Sequence, residues 1–334
     1  MTEASGLTLD PQEVNASGFS WRRFGGLWRT AGILIPFLIL FIGLALSNSE
    51  FLTRQNLVVN VLYLQTPVLI IAGAGTLVLI AGGLDLSVAA TFVLASDIAA
   101  QVALHTNPVW AILLAILCGA LVGLVNGVVV AYLRINALIA TLAMSFVVSG
   151  IAEVTTNNTF YSLFERPSLG KFATTNFLGA QSAIWIALIV ILLLGLALWR
   201  TTFGRYVFAA GGNAEAARLA GVRVSRIRIA TYVLSGMAAA LAGVISLAQT
   251  LTTTPYSNES ALAFTVLAGI VVGGTSILGG EGSVTRTVIG VLFIALIQNG
   301  FDLLQFNSFL IPLVTGVILI IAVASDVWLR QRRR

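Results

Sequence analysis

The chain has 334 residues, 58% hydrophobic and 9% charged, whereas a soluble domain carries about 25% charged residues. So few charges cannot cover a water-exposed surface, and no polar stretch is long enough for a separate soluble domain, which leaves a single membrane domain. The 18 Lys plus Arg against 13 Asp plus Glu lie in short segments between apolar runs rather than on one face, which argues against nucleic acid as a partner. Cys118 is the only cysteine, which excludes an intramolecular disulfide and a cysteine metal cluster.

The first twenty residues hold Glu3, Asp10 and Glu13, and the basic cluster Arg22, Arg23 and Arg29 follows directly before the first apolar run. A secretory signal has the opposite charge order, so residues 1–30 are read as a cytoplasmic tail. The transmembrane domain is expected over 31–328, with 329–334 a basic cytoplasmic tail.

Apolar windows long enough to cross about 30 Å of hydrocarbon lie near Ala31–Ser47, Leu57–Ile80, Asp85–Leu104, Val109–Tyr132 and Ile135–Thr155. Five more lie near Ala183–Trp199, Ile229–Thr250, Leu262–Leu278, Val284–Leu304 and Phe309–Trp328. The predicted fold is therefore an all-α, polytopic bundle of about ten spans with both termini on one side. With that side cytoplasmic, fifteen basic residues fall inside, and only Arg54, Arg166 and Lys171 fall outside, which together make the 18. This is a strong positive-inside asymmetry. Thr156–Ser182 is then a long outer loop and Arg200–Arg228 a long inner loop with six arginines.

The fourth and ninth windows resemble each other: Gly119 to Asn126-Gly127 with a following Asn136, and Gly290 to Asn299-Gly300 with a following Asn307. An offset of five spans reverses direction, as an inverted repeat requires. Gly73 with Gly75, Gly119 with Gly123 and Gly127, and Gly269 with Gly273 recur at helix-face spacing and predict close helix crossings.

Groups for bond-making chemistry are scarce. His105 reads as a solvated hairpin residue. No Gly-x-Ser-x-Gly or His-Glu-x-x-His motif is present, and Lys171 lacks the flanking residues of a phosphate-binding loop. The chain is not expected to be an enzyme, and if ATP drives it, another chain binds the nucleotide.

Three glycine-bearing segments stand out. The outer-half motif Ala81-Gly82-Gly83-Leu84-Asp85-Leu86-Ser87-Val88 permits a tight reversal, in which Asp85 and Ser87 either cap the next helix or touch a transported solute. Gly273 to Ser283 forms a second turn, at the inner surface or along a path. Within the inner loop, Asn213 is a predicted helix cap, Ala214 to Ala220 favour helix, and Gly221 stops it.

Together with Gln298-Asn299-Gly300, these segments resemble the ribose/xylose/galactose-type ABC importer permeases over residues 30–330. Ala89, Glu281, Asp97 and Gln101 depart from that pattern. The resemblance implies a homodimeric permease in the bacterial inner membrane. It also implies a cytoplasmic ABC ATPase that binds ATP and Mg, and a periplasmic sugar-binding protein.

The same resemblance assigns coupling to the ATPase to Gly212, Asn213, Ala214, Glu215, Ala216, Ala217, Arg218, Leu219, Ala220 and Gly221. Candidate translocation-path residues are Gly82, Gly83, Asp85, Ser87, Asn126 and Asn299. The charged outer-loop residues Glu165, Arg166 and Lys171 are candidates for docking the binding protein. A branched-chain amino-acid importer permease is the alternative. A secondary transporter would need ion-coupling groups, for which Asp97, Glu153 and Asp302 are the candidates.

Overall fold

A computed structural model describes residues 21–157, 159–165, 167–253 and 259–331. Helices occupy all ten apolar windows. In chain order they are α1 (Trp21–Ser47), a π-helical segment (Gln55–Tyr63) followed by α2 (Thr66–Ile80), α3 (Val88–His105), α4 (Pro108–Ala131) and α5 (Ala137–Thr156). After the short α6 (Lys171–Thr174) and a two-stranded hairpin come α7 (Ser182–Arg200), α8 (Thr202–Gly212), α9 (Ala214–Leu219) and α10 (Val224–Thr250). The last three are α11 (Glu259–Val272), α12 (Val284–Leu303) and α13 (Ile311–Gln331).

Among the described residues, six helices are long and apolar enough to cross a membrane, and a seventh span arises if the π-helical segment and α2, bent by 45°, count as one. The helical parts of the first, eighth and tenth windows are shorter apolar stretches. At the amino end, α1 begins at Trp21, so Arg22, Arg23 and Arg29 lie in its first turns, ahead of the apolar stretch that starts at Gly32. At the other end α13 runs to Gln331.

The core is centred on α2, α3 and α10, with α4 crossing α10. The predicted glycine faces explain the crossing. Gly119 lies against the backbone oxygen of Gly236, Gly236 lies reciprocally against that of Gly119, and Gly127 abuts Ile229. A methyl group at either of the first two would strike backbone, so only bare glycine allows the helices this close. By contrast, α4, α5 and α7 each leave most of their apolar surface outside the bundle, where lipid or another chain can cover it.

The helices of the two halves meet in matching pairs. Contacts of α3 with α4, α3 with α5, and α4 with α5 are matched by α11 with α12, α11 with α13, and α12 with α13. Likewise α10 packs on α3 and α4 as α2 packs on α11 and α12. The links between paired helices also match. Arg134 (φ 54°) and Gln305 (φ 56°) take left-handed backbone two residues before Asn136 and Asn307. Each of those asparagines then accepts a backbone N–H two residues on, at 2.9 and 3.0 Å.

Both long loops are more ordered than a loop reading predicts, because each contains apolar residues that find a place to bury. In the 156–182 segment, Leu163, Leu169 and Ala173 are fully buried, and the Leu163 N–H donates to the Leu251 carbonyl at 2.8 Å, tying the segment over the end of α10. In the inner one, Val207 and Ala210 bury one side of α8.

Candidate functional site

Three elements position the inner-loop site. The hydroxyl of Thr201 caps α8 by accepting the Gly204 N–H at 3.3 Å. Asn213 then caps α9, its Oδ1 accepting the Glu215 and Ala216 N–H groups at 3.1 and 3.0 Å, and Gly221 (φ 83°) ends the helix. The cap, the helix and the glycine stop fall where the residues predict them.

The faces of α9 are uneven. Ala217 is buried against Ala210 and Val224, so it belongs to the packing of α9 on this chain itself and is not available to a partner's cleft. Glu215, Ala216 and Ala220 are exposed, and Leu219 is 85% exposed. Glu215 and Arg218 pair with each other at 3.0 Å.

Gly211 joins this unit to the rest of the bundle. A Cβ there would meet the carbonyl oxygen of Ile80 and, at 2.7 Å, the amide of Gly280. The Gly280 N–H donates to that same Ile80 carbonyl at 2.8 Å. The end of α2, the Gly279–Gly280 turn before α12 and the end of α8 therefore meet backbone to backbone. Gly82 (φ 77°) lies in the same junction, and Arg228 Nε donates to the Ala81 carbonyl at 3.3 Å. Residues 81–88 thus lie at the same end of the bundle as the 200–228 segment. That corrects the outer-half label and agrees with the ten-span count, in which the reversal after the second span falls on the side of the 200–228 loop.

Asp85 sits one step deeper. Its Oδ1 accepts the Ser87 N–H at 3.1 Å and the Ser87 hydroxyl at 2.6 Å, and its Oδ2 accepts the Ser235 hydroxyl of α10 at 2.8 Å. Asn126 Nδ2 of α4 donates to Ser87 Oγ at 2.7 Å, and the Tyr232 hydroxyl donates to the Leu84 carbonyl at 3.1 Å. Ser87 occupies the cap position of α3, yet its side chain makes no capping bond because it serves Asp85 instead. The carboxylate therefore fastens α3, α4 and α10 together. The cavity beside it, toward α2 and α11, is about 20 Å³, room for about one water.

Gly83 lies against the Tyr232 hydroxyl at the edge of this cluster, whereas Asn299 does not join it. Asn299 forms a reciprocal amide pair with Asn56 of the π-helical segment, at 2.6 and 3.0 Å, in a separate network. Glu165 and Lys171 are exposed on the 156–182 segment, and Arg166 lies outside the described residues. Of the three proposed ion-coupling acids, Asp97 is buried, whereas Asp302 and Glu153 are exposed.

Glu153 borders a groove that sequence reasoning missed. Ser145, Ser149 and Glu153 of α5 face Ser260 and Phe264 of α11 across a space of about 360 Å³. The four-residue spacing of the three α5 side chains was a legible signal. What it faced was not, because α11 lies more than a hundred residues along the chain.

The comparisons with known proteins agree on the class of molecule. The family model described as the permease component of branched-chain amino acid transport systems matches residues 57–323. The L-arabinose ABC transporter permease protein AraH of Azospirillum brasilense is 37% identical, covering 94% of this chain and 93% of its own length. The ribose import permease protein RbsC of Escherichia coli K12 is 37% identical over 88% of this chain and 92% of its own, and that of Bacillus subtilis 34% over 91% and 94%. No solved structure matches. With four-fifths of its length inside the family model and relatives aligned nearly end to end, the chain belongs to this family of multi-pass ABC transport permeases.

Proposed function

We propose that this chain forms the translocation path of an ATP-driven importer whose solute is a monosaccharide. The observation that carries the sugar is the naming of its relatives: proteins 36–37% identical over most of the chain are arabinose and ribose permeases. The amino-acid wording of the family model covers the wider family. The test is uptake of labelled pentoses in cells with and without the gene. Loss of pentose uptake on deletion is expected, and loss of leucine uptake alone would favour the amino-acid reading.

In this reading ten spans place both termini in the cytoplasm, in a bacterial inner membrane, and the halves form an inverted repeat. The matched helix pairs and the matched Arg134–Asn136 and Gln305–Asn307 links support the repeat. A homodimer, a periplasmic binding protein meeting Glu165, Arg166 and Lys171, and a separate ATPase that holds ATP and Mg complete the assembly. The residues from Gly212 to Gly221 receive the ATPase. Its motion enters at the exposed face of α9, passes to α8, and reaches α2 and α12 through the contacts around Gly211, where there is no flexible side chain to absorb it. Asp85, Ser87 and Asn126 then hold α3, α4 and α10 as a unit that this motion can shift.

A further inference from the structure

We infer that the groove between α5 and α11 is a sugar-selective station of the path, with Glu153, Ser149 and Ser145 as its polar rail. The inference rests on the monosaccharide importer reading and adds to it the residues that meet the solute. Three observations carry it.

The first is the rail itself. Ser145, Ser149 and Glu153 recur every four residues, so they share one side of α5 and span about 12 Å along it at about 1.5 Å per residue. Their neighbours Phe146, Val147, Ile151 and Val154 are exposed and apolar. The Ser145 hydroxyl is already bonded to the Leu142 carbonyl at 2.8 Å, so on this helix, otherwise dressed for lipid, the group that calls for water, protein or solute is the Glu153 carboxylate.

The second is the opposite wall. Ser260 and Phe264 of α11 face the rail, and Phe146 joins them from α5. A pyranose or furanose presents hydroxyls around its rim and an apolar C–H face. A carboxylate accepts from two hydroxyls at once, the Ser145 oxygen can accept while its hydrogen stays on the Leu142 carbonyl, and phenyl rings pack on the C–H face.

The third is size and place. About 360 Å³ lies at the low end of the about 300–1,000 Å³ of small-molecule sites, which suits a single sugar ring. Glu153 stands in the last turn of α5, next to the 156–182 segment that reaches over the end of α10, so the rail runs inward from the end at which a binding protein would deliver. The groove is open on the bundle surface.

The test uses the complete complex in proteoliposomes, with sugar-loaded binding protein outside. Glu153→Ala with Ser149→Ala is expected to lower maximal pentose uptake at least tenfold. The half-saturating concentration, set by the binding protein, and the ATPase activity it stimulates should stay near wild type, and Glu153→Asp should restore part of the uptake. In a Cys118→Ser background, Ser149→Cys should react with a membrane-impermeant maleimide and be protected by saturating loaded binding protein. Wild-type uptake in the double variant, or a thiol at 149 that only lipid-soluble reagents reach, would overturn the groove assignment. Wild-type complex that moves no sugar would overturn the substrate reading instead, while the maleimide result would still decide whether the groove is aqueous.

Discussion

Replacing Asp85 separates a fastening role from a charge acting on the solute. Asp85→Ala removes the acceptor of three hydrogen bonds, from Ser87 N–H, Ser87 Oγ and Ser235 Oγ. Bonds to a charged group contribute about 1.5–3 kcal/mol each, so the loss is about 4–5 kcal/mol even at the lower figure, a large part of a typical stability of about 5–15 kcal/mol. Ser87, freed from the carboxylate, also loosens its bond from Asn126. Asp85→Asn keeps Oδ1 for both Ser87 donors, and its amide nitrogen faces Ser235, whose hydroxyl can turn to accept. The cost falls to about 1–2 kcal/mol, the charge assistance alone. Thermal unfolding of detergent-solubilised protein followed by size-exclusion fluorescence, with uptake measured in parallel, reads both quantities. The alanine variant should unfold well below the asparagine variant, and the asparagine variant should transport. Equal stability of the two would refute the network reasoning, and a stable asparagine variant without transport would assign the charge to the path.

Leu219→Asp should leave insertion unchanged and weaken ATPase co-purification with loss of uptake, because the exposed apolar contact of α9 is lost; undiminished co-purification would count against it. Ala217→Trp should instead lower stability by about 1–3 kcal/mol, since that side chain is packed inside, and unchanged unfolding would show that α9 can lift away. Gly211→Val should uncouple ATP hydrolysis from uptake by forcing Ile80 and Gly280 apart, which a ratio of the two rates measures. After Cys118→Ser, a cysteine introduced at the exposed Ser168 should label only from outside, and cytoplasmic labelling would reverse the proposed orientation.

The chain's own letters determined a great deal about this protein. Apolar windows set the helices, because a membrane helix makes its backbone hydrogen bonds within itself. Asn213 and Gly221 bounded α9 for an equally local reason. The glycine faces of α4 and α11 announced close crossings, although not with which helix. The residue types of the α2–α3 turn do not say which half of the membrane holds it, whereas the count of spans from a cytoplasmic amino terminus returns the chain to the inner side there.

Only the tertiary structure decided the rest, since each remaining feature joins groups far apart in sequence. Asp85 meets Ser235 across 150 residues, Asn299 meets Asn56 across 243, and Ser145, Ser149 and Glu153 meet the helix holding Ser260 and Phe264. A carboxylate or amide in an apolar span requires a partner, and its residue type states that requirement. Which partner meets it depends on how the helices cross, and the crossings are set by glycines that let one backbone rest on another.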